Sequence, residues 1–142
     1  MERIFVLIGI INQLATTRLN RALKELDLPL AQFYLLTHFS GNPGRGWTVT
    51  RLAEVMEVNQ PAMTKTTQRL LKKEYIRSET DKKDKRIRLL FITDLGLKAL
   101  SKAWELLLPD VMELTGKWQS EEIEILKNLL EKLKTQLDEA RE

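Results

Sequence analysis

The sequence predicts a mainly α-helical chain with one small β-hairpin, an α+β arrangement. Apolar residues recur at helical spacing near both ends, at Ile4, Ile8, Ile11, Ala15, Leu19, Ala22 and Leu26 and again at Ile123, Leu126, Leu130, Leu133 and Leu137. Two β-prone runs, Tyr75 to Glu79 and Ile87 to Thr93, flank a wholly polar, charged centre. The composition, 43% apolar and 30% charged over 142 residues, suits a packed core in one ordinary domain or one long-helix subunit.

The elements follow in order. Residues 4–26 form an amphipathic helix whose first third is apolar nearly all round, so that part is expected to be covered on several sides. Its apolar run of eight residues, Ile4 to Ile11, is too short for a bilayer, and the helical spacing beyond it favours a buried helix over a signal peptide. Pro29 ends the segment, and a second helix runs from about Leu30 to Ser40, before the loop Gly41-Asn42-Pro43-Gly44-Arg45-Gly46. Thr48 caps a helix of about two turns holding Leu52, Ala53, Val55 and Met56. Pro61 then opens the next helix, with Asn59 or Gln60 as its cap, and that helix reaches about Lys73. Met63, Leu70 and Leu71 face inward, which leaves Gln60, Thr64, Lys65, Thr67, Gln68 and Arg69 on or near the outer face. After the hairpin, Thr93 and Asp94 start a helix that should pass Trp104 and Leu108 and be kinked or broken at Pro109, which lacks an N–H. Ser120 is expected to cap the last helix, with Glu121 and Glu122 near its positive end. Its five apolar positions, Ile123 to Leu137, make a heptad seam.

Several function classes fall away. The chain has no cysteine, which excludes disulfides, Cys-ligated zinc, iron–sulfur clusters and thiol chemistry, and fits a cytoplasmic protein. With His38 as the single histidine, no metal site and no catalytic set are expected, and no cofactor. A Ser–His–acid set would need His38 beside Ser40, Ser78, Ser101 or Ser120, and no nucleophile elbow, phosphate loop or paired carboxylates accompany it.

The charge is unevenly distributed. Residues 45–90 hold 12 Lys/Arg against six Asp/Glu, a net +6, while the other 96 residues carry 11 bases and 14 acids, a net −3. A basic middle between mildly acidic ends suits a polyanion-binding module mounted on a separate frame. Two short helices with a tight break and a charged hairpin are the order of a winged helix-turn-helix, whose second helix fits a DNA major groove. There Gln60 can pair bidentately with adenine, Lys65 can reach guanine or phosphate, and Thr64 can touch base or backbone. The hairpin-tip cations Lys82, Lys83, Lys85 and Arg86 stand where a flanking minor groove or phosphate strand would lie.

From Thr48 to Gly96 the sequence resembles the MarR family of bacterial winged-helix regulators. Asp84-x-Arg86 followed by Ile92-Thr93-x-x-Gly96 matches the family's D-x-R…L-T-x-x-G wing signature, with Ile for Leu. Leu52-Ala53-Glu54 matches its L-A-E helix. Asn59-Gln60-Pro61, with Leu70 and Tyr75-Ile76-Arg77, matches the recognition helix and following strand, with a flavour of the SlyA branch. Glu74 stands where the family commonly has glycine, which leaves a left-handed cap there open. Arg51 replaces the usual acid after Thr48, so no capping box forms.

The resemblance implies a winged helix-turn-helix flanked by N- and C-terminal dimerisation helices. The parts would be a frame at 1–40, a DNA-binding domain at 47–96 and dimerisation helices at 97–142. It implies a homodimer held through Ile4, Ile8, Ile11, Ile123, Leu126, Leu130, Leu133 and Leu137, on double-stranded DNA with a near-palindromic operator. The candidate DNA-contacting set is Thr48, Asn59, Gln60, Pro61, Thr64, Lys65, Gln68, Lys82, Lys83, Lys85 and Arg86. Within it Arg86 would enter the minor groove, while Asp84 would orient the wing. Relatives that release DNA on binding a small aromatic molecule imply an effector crevice, for which Asn12, Arg18, Tyr34, His38 and Trp104 are the candidates. Tyr34 and Trp104 also suit a core or an interface, and His38 a helix end.

The expected function is therefore a dimeric, sequence-specific DNA-binding transcriptional regulator, a repressor with a small-molecule effector. The alternatives are a winged-helix protein-interaction module and a non-specific architectural DNA-binding protein.

Overall fold

The computed structural model describes residues 2–140. The chain divides into two compact units, Met1–Leu107 and Leu108–Glu142. The first contains α1 (Glu2–Leu23), a 3-10 turn (Lys24–Leu26), α2 (Leu30–Ser40), α3 (Val49–Val55), α4 (Gln60–Lys72), β1 (Ile76–Thr80), β2 (Arg88–Ile92) and the start of α5 (Asp94–Thr115). The second holds the end of α5 and α6 (Ser120–Glu139).

The core lies in the first unit. Helix α2 is apolar on more than one side and buries Phe33, Leu35, Leu36 and Phe39. Around them pack Leu23 and Leu28, Leu52 and Ala53 of α3, Met63 and Leu70 of α4, Ile76, Leu90 and Ile92 of the hairpin, and Leu100, Ala103 and Leu107 of α5. Gln32 is buried among these apolar groups, and its Oε1 accepts a 3.0 Å hydrogen bond from the Lys73 ammonium. Lys73 also pairs with the Asp27 carboxylate at 3.3 Å, tying the end of α4 to the entry of α2.

Three helix ends close in one way. After the 3-10 turn, α3 and α4, the residues Asp27, Glu57 and Glu74 take left-handed φ values of 47°, 51° and 58°. After α4 the Glu74 N–H reaches the Leu71 carbonyl and the Tyr75 N–H reaches the Leu70 carbonyl, both at 3.0 Å. This pair of bonds is a Schellman closure, which favours glycine at the left-handed position. The sequence left this cap open because Glu74 carries a Cβ; the closure forms nonetheless.

Strands β1 and β2 pair antiparallel with Ile76 opposite Ile92 and Thr80 opposite Arg88. Trp47 adds an isolated bridge to the outer edge of β2, exchanging 3.0 and 2.8 Å bonds with Leu90. The Trp47 side chain is buried there, against the His38 ring at 4.6 Å.

Three expectations need correction. Thr67 does not lie on the outer face of α4 but is buried, on the inward stripe with Met63 and Leu70. Its hydroxyl is satisfied by the Met63 carbonyl at 3.0 Å and the Thr64 carbonyl at 2.9 Å, so burial leaves no polar group stranded. Ser120 is not the cap of α6: Gln119 occupies that position, and its N–H donates to the Glu122 carboxylate at 2.9 Å. Pro109 does not end α5, which continues to Thr115. The ring removes the bond to the Glu105 carbonyl, and both residues lie on exposed helix surface where solvent reaches that group.

The apolar ends are bare within one chain. Ile4, Ile8 and Ile11 of α1 are 55%, 36% and 61% exposed, and in the second unit Ile123, Leu126, Leu130 and Leu137 are exposed as well, with Leu133 half-buried. No described helix is long and apolar enough to cross a membrane.

Candidate nucleic-acid interface

The helix-turn-helix is set by its caps. The Thr48 hydroxyl accepts from the Arg51 N–H at 3.2 Å and starts α3. The left-handed Glu57 ends it, with Val58 N–H bonded to the Ala53 carbonyl at 3.0 Å. Asn59 Oδ1 then accepts from the Ala62 N–H at 2.9 Å, which resolves the choice of cap for α4 in favour of Asn59. Gln60 is consequently the first helical residue, and Pro61, lacking a donor, costs nothing in the turn that follows.

With Met63, Thr67 and Leu70 turned inward, Gln60, Pro61, Lys65, Gln68 and Arg69 are exposed and Thr64 is half-buried. The Thr64 hydroxyl donates back to the Gln60 carbonyl at 2.9 Å. Gln60 Nε2 donates to Thr50 Oγ1 of α3 at 3.3 Å. The structure therefore sorts the candidate contacts. Thr48 and Asn59 spend their acceptor oxygens on caps, while the amide of Gln60 and the heads of Lys65 and Gln68 lie on the outer surface.

The wing tip, residues 81–87, is an ordered turn. Asp81 Oδ1 accepts from the N–H groups of Lys83 and Asp84, both at 2.8 Å, and the Ile87 N–H closes onto the Asp84 carbonyl at 2.9 Å. Asp84 in turn holds Arg86, accepting from its backbone N–H at 3.0 Å and from Nε and Nη2 at 3.2 Å each. These donors keep both carboxyls ionised below the usual carboxylate range: chiefly the Asp84 N–H for Asp81, and chiefly the Arg86 side chain for Asp84. Lys82, Lys83, Lys85 and Arg86 are all exposed at this tip.

The base of the wing rests on a close approach. Thr93 Oγ1 accepts from the Gly96 N–H at 3.0 Å and donates to the Glu74 carbonyl at 2.7 Å, so one side chain caps α5 and ties it to the end of α4. A Cβ on Gly96 would run into the Tyr75 carbonyl oxygen and lie 3.0 Å from Ile92 Cγ1. The Thr93-x-x-Gly96 spacing is thus a cap followed by a contact that only glycine permits.

Sequence reasoning missed three residues of this surface. Arg45 stacks over the Trp47 ring at 3.9 Å, at the loop leading into α3. Arg77 lies over the Phe91 ring at 4.8 Å and pairs with Glu79. Thr50 holds Gln60. The Gly44-Arg45-Gly46-Trp47 run carried a signal for the first, since the cation lies two residues from the ring it covers. For Arg77 the same-strand acid Glu79, two residues on, was a local signal, whereas nothing local signalled Thr50, whose partner Gln60 is brought near only by the fold.

The effector candidates are dispersed. Tyr34 and Trp104 are exposed and flank the buried Phe33, at ring distances of 5.8 and 5.2 Å, so they are not core aromatics. His38 packs instead on Trp47, and Asn12 and Arg18 are exposed on α1. A cavity of about 410 Å³ lies against the end of α4, lined by Asp27, Pro29, Gln32, Arg69, Lys72 and Lys73, and none of the candidates lines it. Among the described residues no cluster of His, Asp and Glu can hold a metal ion.

Residues 26–87 match the family model described as MarR family. Wild-type MarR from E. coli in its apo form is 30% identical, with a TM-score of 0.75 over 89% of this chain and 93% of that one. A cysteine-to-serine mutant of E. coli MarR complexed with operator DNA is 29% identical, with a TM-score of 0.73 over 92% and 93%. The transcriptional regulator BldR from Sulfolobus solfataricus is 28% identical, with a TM-score of 0.75 over 94% of each chain. No curated protein matches the chain. The 30% identity with E. coli MarR over nearly its whole length, together with the family-model match through the helix-turn-helix and first wing strand, makes this chain a member of the MarR family.

Proposed function

We propose that the protein is a homodimeric, sequence-specific regulator of transcription that binds double-stranded DNA and represses from a near-palindromic operator. The observation that carries this reading is the outer surface of α4, polar at Gln60, Lys65 and Gln68, beside an ordered wing tip with four exposed cations. A helix of this character presents base-reading groups to a major groove, and the wing presents Arg86 to the adjoining minor groove. A relative crystallised in complex with operator DNA supports duplex DNA as the partner. The bare apolar stripes at 4–11 and 123–137 support a second copy as their cover, giving the frame at 1–40 and 97–142 its dimerising role around the DNA-binding domain at 47–96. A small aromatic effector that releases the DNA would enter near Tyr34 and Trp104, the two candidates that share Phe33 as a neighbour.

Selection from a randomised duplex library tests the reading. A two-fold-symmetric site with half-sites about one helical turn apart supports a dimeric regulator. Binding without enrichment, with only a steep salt dependence, would favour architectural contact. No binding at low salt would favour a protein-interaction role.

A further inference from the structure

Among the described residues, Gln60 is the candidate base-reading side chain that is hydrogen-bonded to another helix: its Nε2 donates to Thr50 Oγ1 at 3.3 Å. The bond spans ten residues, from the second position of α3 to the first position of α4. Neighbouring groups leave Gln60 free for it. Asn59 supplies the cap of α4 and Pro61 has no N–H to compete. The Thr64 hydroxyl engages the backbone carbonyl of Gln60 and not its amide.

An amide side chain can face a base either way round, and the two faces read different edges. With one Nε2 proton on Thr50, the other proton and Oε1 remain, a donor and an acceptor side by side. That pair complements adenine, whose N7 accepts and whose N6 donates. Turned over, the same amide would offer its acceptor and donor in the reverse order, out of register with N7 and N6. The Thr50 hydroxyl keeps its own proton for a phosphate oxygen, which would hold it as the acceptor towards Gln60.

We propose that Thr50 is a positioning residue that fixes the orientation of the Gln60 amide and so sets a preference for adenine at the base pair α4 reads through Gln60. This rests on the reading of α4 as the DNA-contacting helix. The test is library selection with the full-length wild type, Thr50→Val, Thr50→Ser and Gln60→Ala, followed by affinity against salt on the selected duplex. Valine keeps the shape and removes the acceptor; serine restores it. The wild type is expected to select adenine at one position per half-site, and Gln60→Ala to lose that choice. Thr50→Val should weaken it about tenfold at that position alone, within the range of a bidentate contact, with the salt slope and melting temperature unchanged and Thr50→Ser close to wild type. Undiminished adenine choice in Thr50→Val overturns the role of Thr50 while leaving the DNA reading intact. Loss of selectivity at every position in Thr50→Val marks a structural role and overturns it too. A wild type that selects no sequence overturns both readings.

Discussion

Asp84 grips Arg86 through both carboxylate oxygens, Oδ1 to Nε and Oδ2 to Nη2, each at 3.2 Å, and takes the Arg86 backbone N–H as well. The D-x-R spacing at the wing tip is therefore a local clamp: the acid fixes the direction of a guanidinium that is itself almost wholly exposed. A surface pair of this kind adds little to global stability. Its effect is on the conformation of the tip.

The clamp titrates. Asp81 and Asp84 are both held below the ordinary value of 3.8, so the order they give the tip is fully present above that value and is lost as pH falls through the lower folded values. Carbon-13 titration of the two carboxyls should give midpoints under 3.8. A midpoint at or above that value for either would show that its hydrogen bonds are not kept in solution.

Arg86→Ala and Lys65→Ala should each weaken operator binding while leaving the dimer folded. For a phosphate contact the salt slope should also fall by about one, whereas a base contact mainly relaxes specificity. Titration of labelled operator against salt measures both, and unchanged binding in the two variants would remove the wing and α4 from the interface.

Gly96→Ala should destabilise the protein by about 1–3 kcal/mol, because the added methyl must push the Tyr75 carbonyl and Ile92 apart. Urea unfolding reads the change directly. A neutral result would mean that the α4–β1 junction is looser than the Thr93 bonds imply.

Glu74→Gly should act in the opposite sense. The Schellman closure holds Glu74 at φ 58°, where a Cβ costs about 1 kcal/mol that glycine avoids. An increase of that order in unfolding free energy is expected, and a decrease would place the favourable contribution in the Glu74 side chain itself.

Leu130→Asp should give a monomer in sedimentation experiments, since a carboxylate in the α6 seam would be buried against a second copy. A stable dimer would place the seam elsewhere.

The order of elements was legible because it rests on local chemistry. Thr48, Asn59 and Thr93 are caps by residue type, Pro61 marks a helix start, and the polar run from Asp81 to Arg86 separates two β-prone strands. What escaped depended on contacts distant in sequence or on local competition. Thr67 is polar by composition yet inward by period, and two backbone carbonyls make that burial tolerable. Gln119 displaced the better-known cap Ser120 because Glu122 reaches its N–H. The bridge from Trp47 to Leu90, the bond from Thr50 to Gln60 and the Lys73–Gln32 link join residues that only the fold brings together. The outer surface of α4 and the wing cations were readable as a candidate site, but not whether Asn59 or Gln60 would be consumed as the cap of α4.

Sequence-specific recognition of duplex DNA is measured by the affinity of the full-length protein for a selected operator against a scrambled duplex of equal length at physiological salt. A preference of about a thousandfold or more is expected, in the range of specific regulators, with the scrambled duplex retaining only salt-dependent binding. Equal affinity for the two duplexes would contradict it.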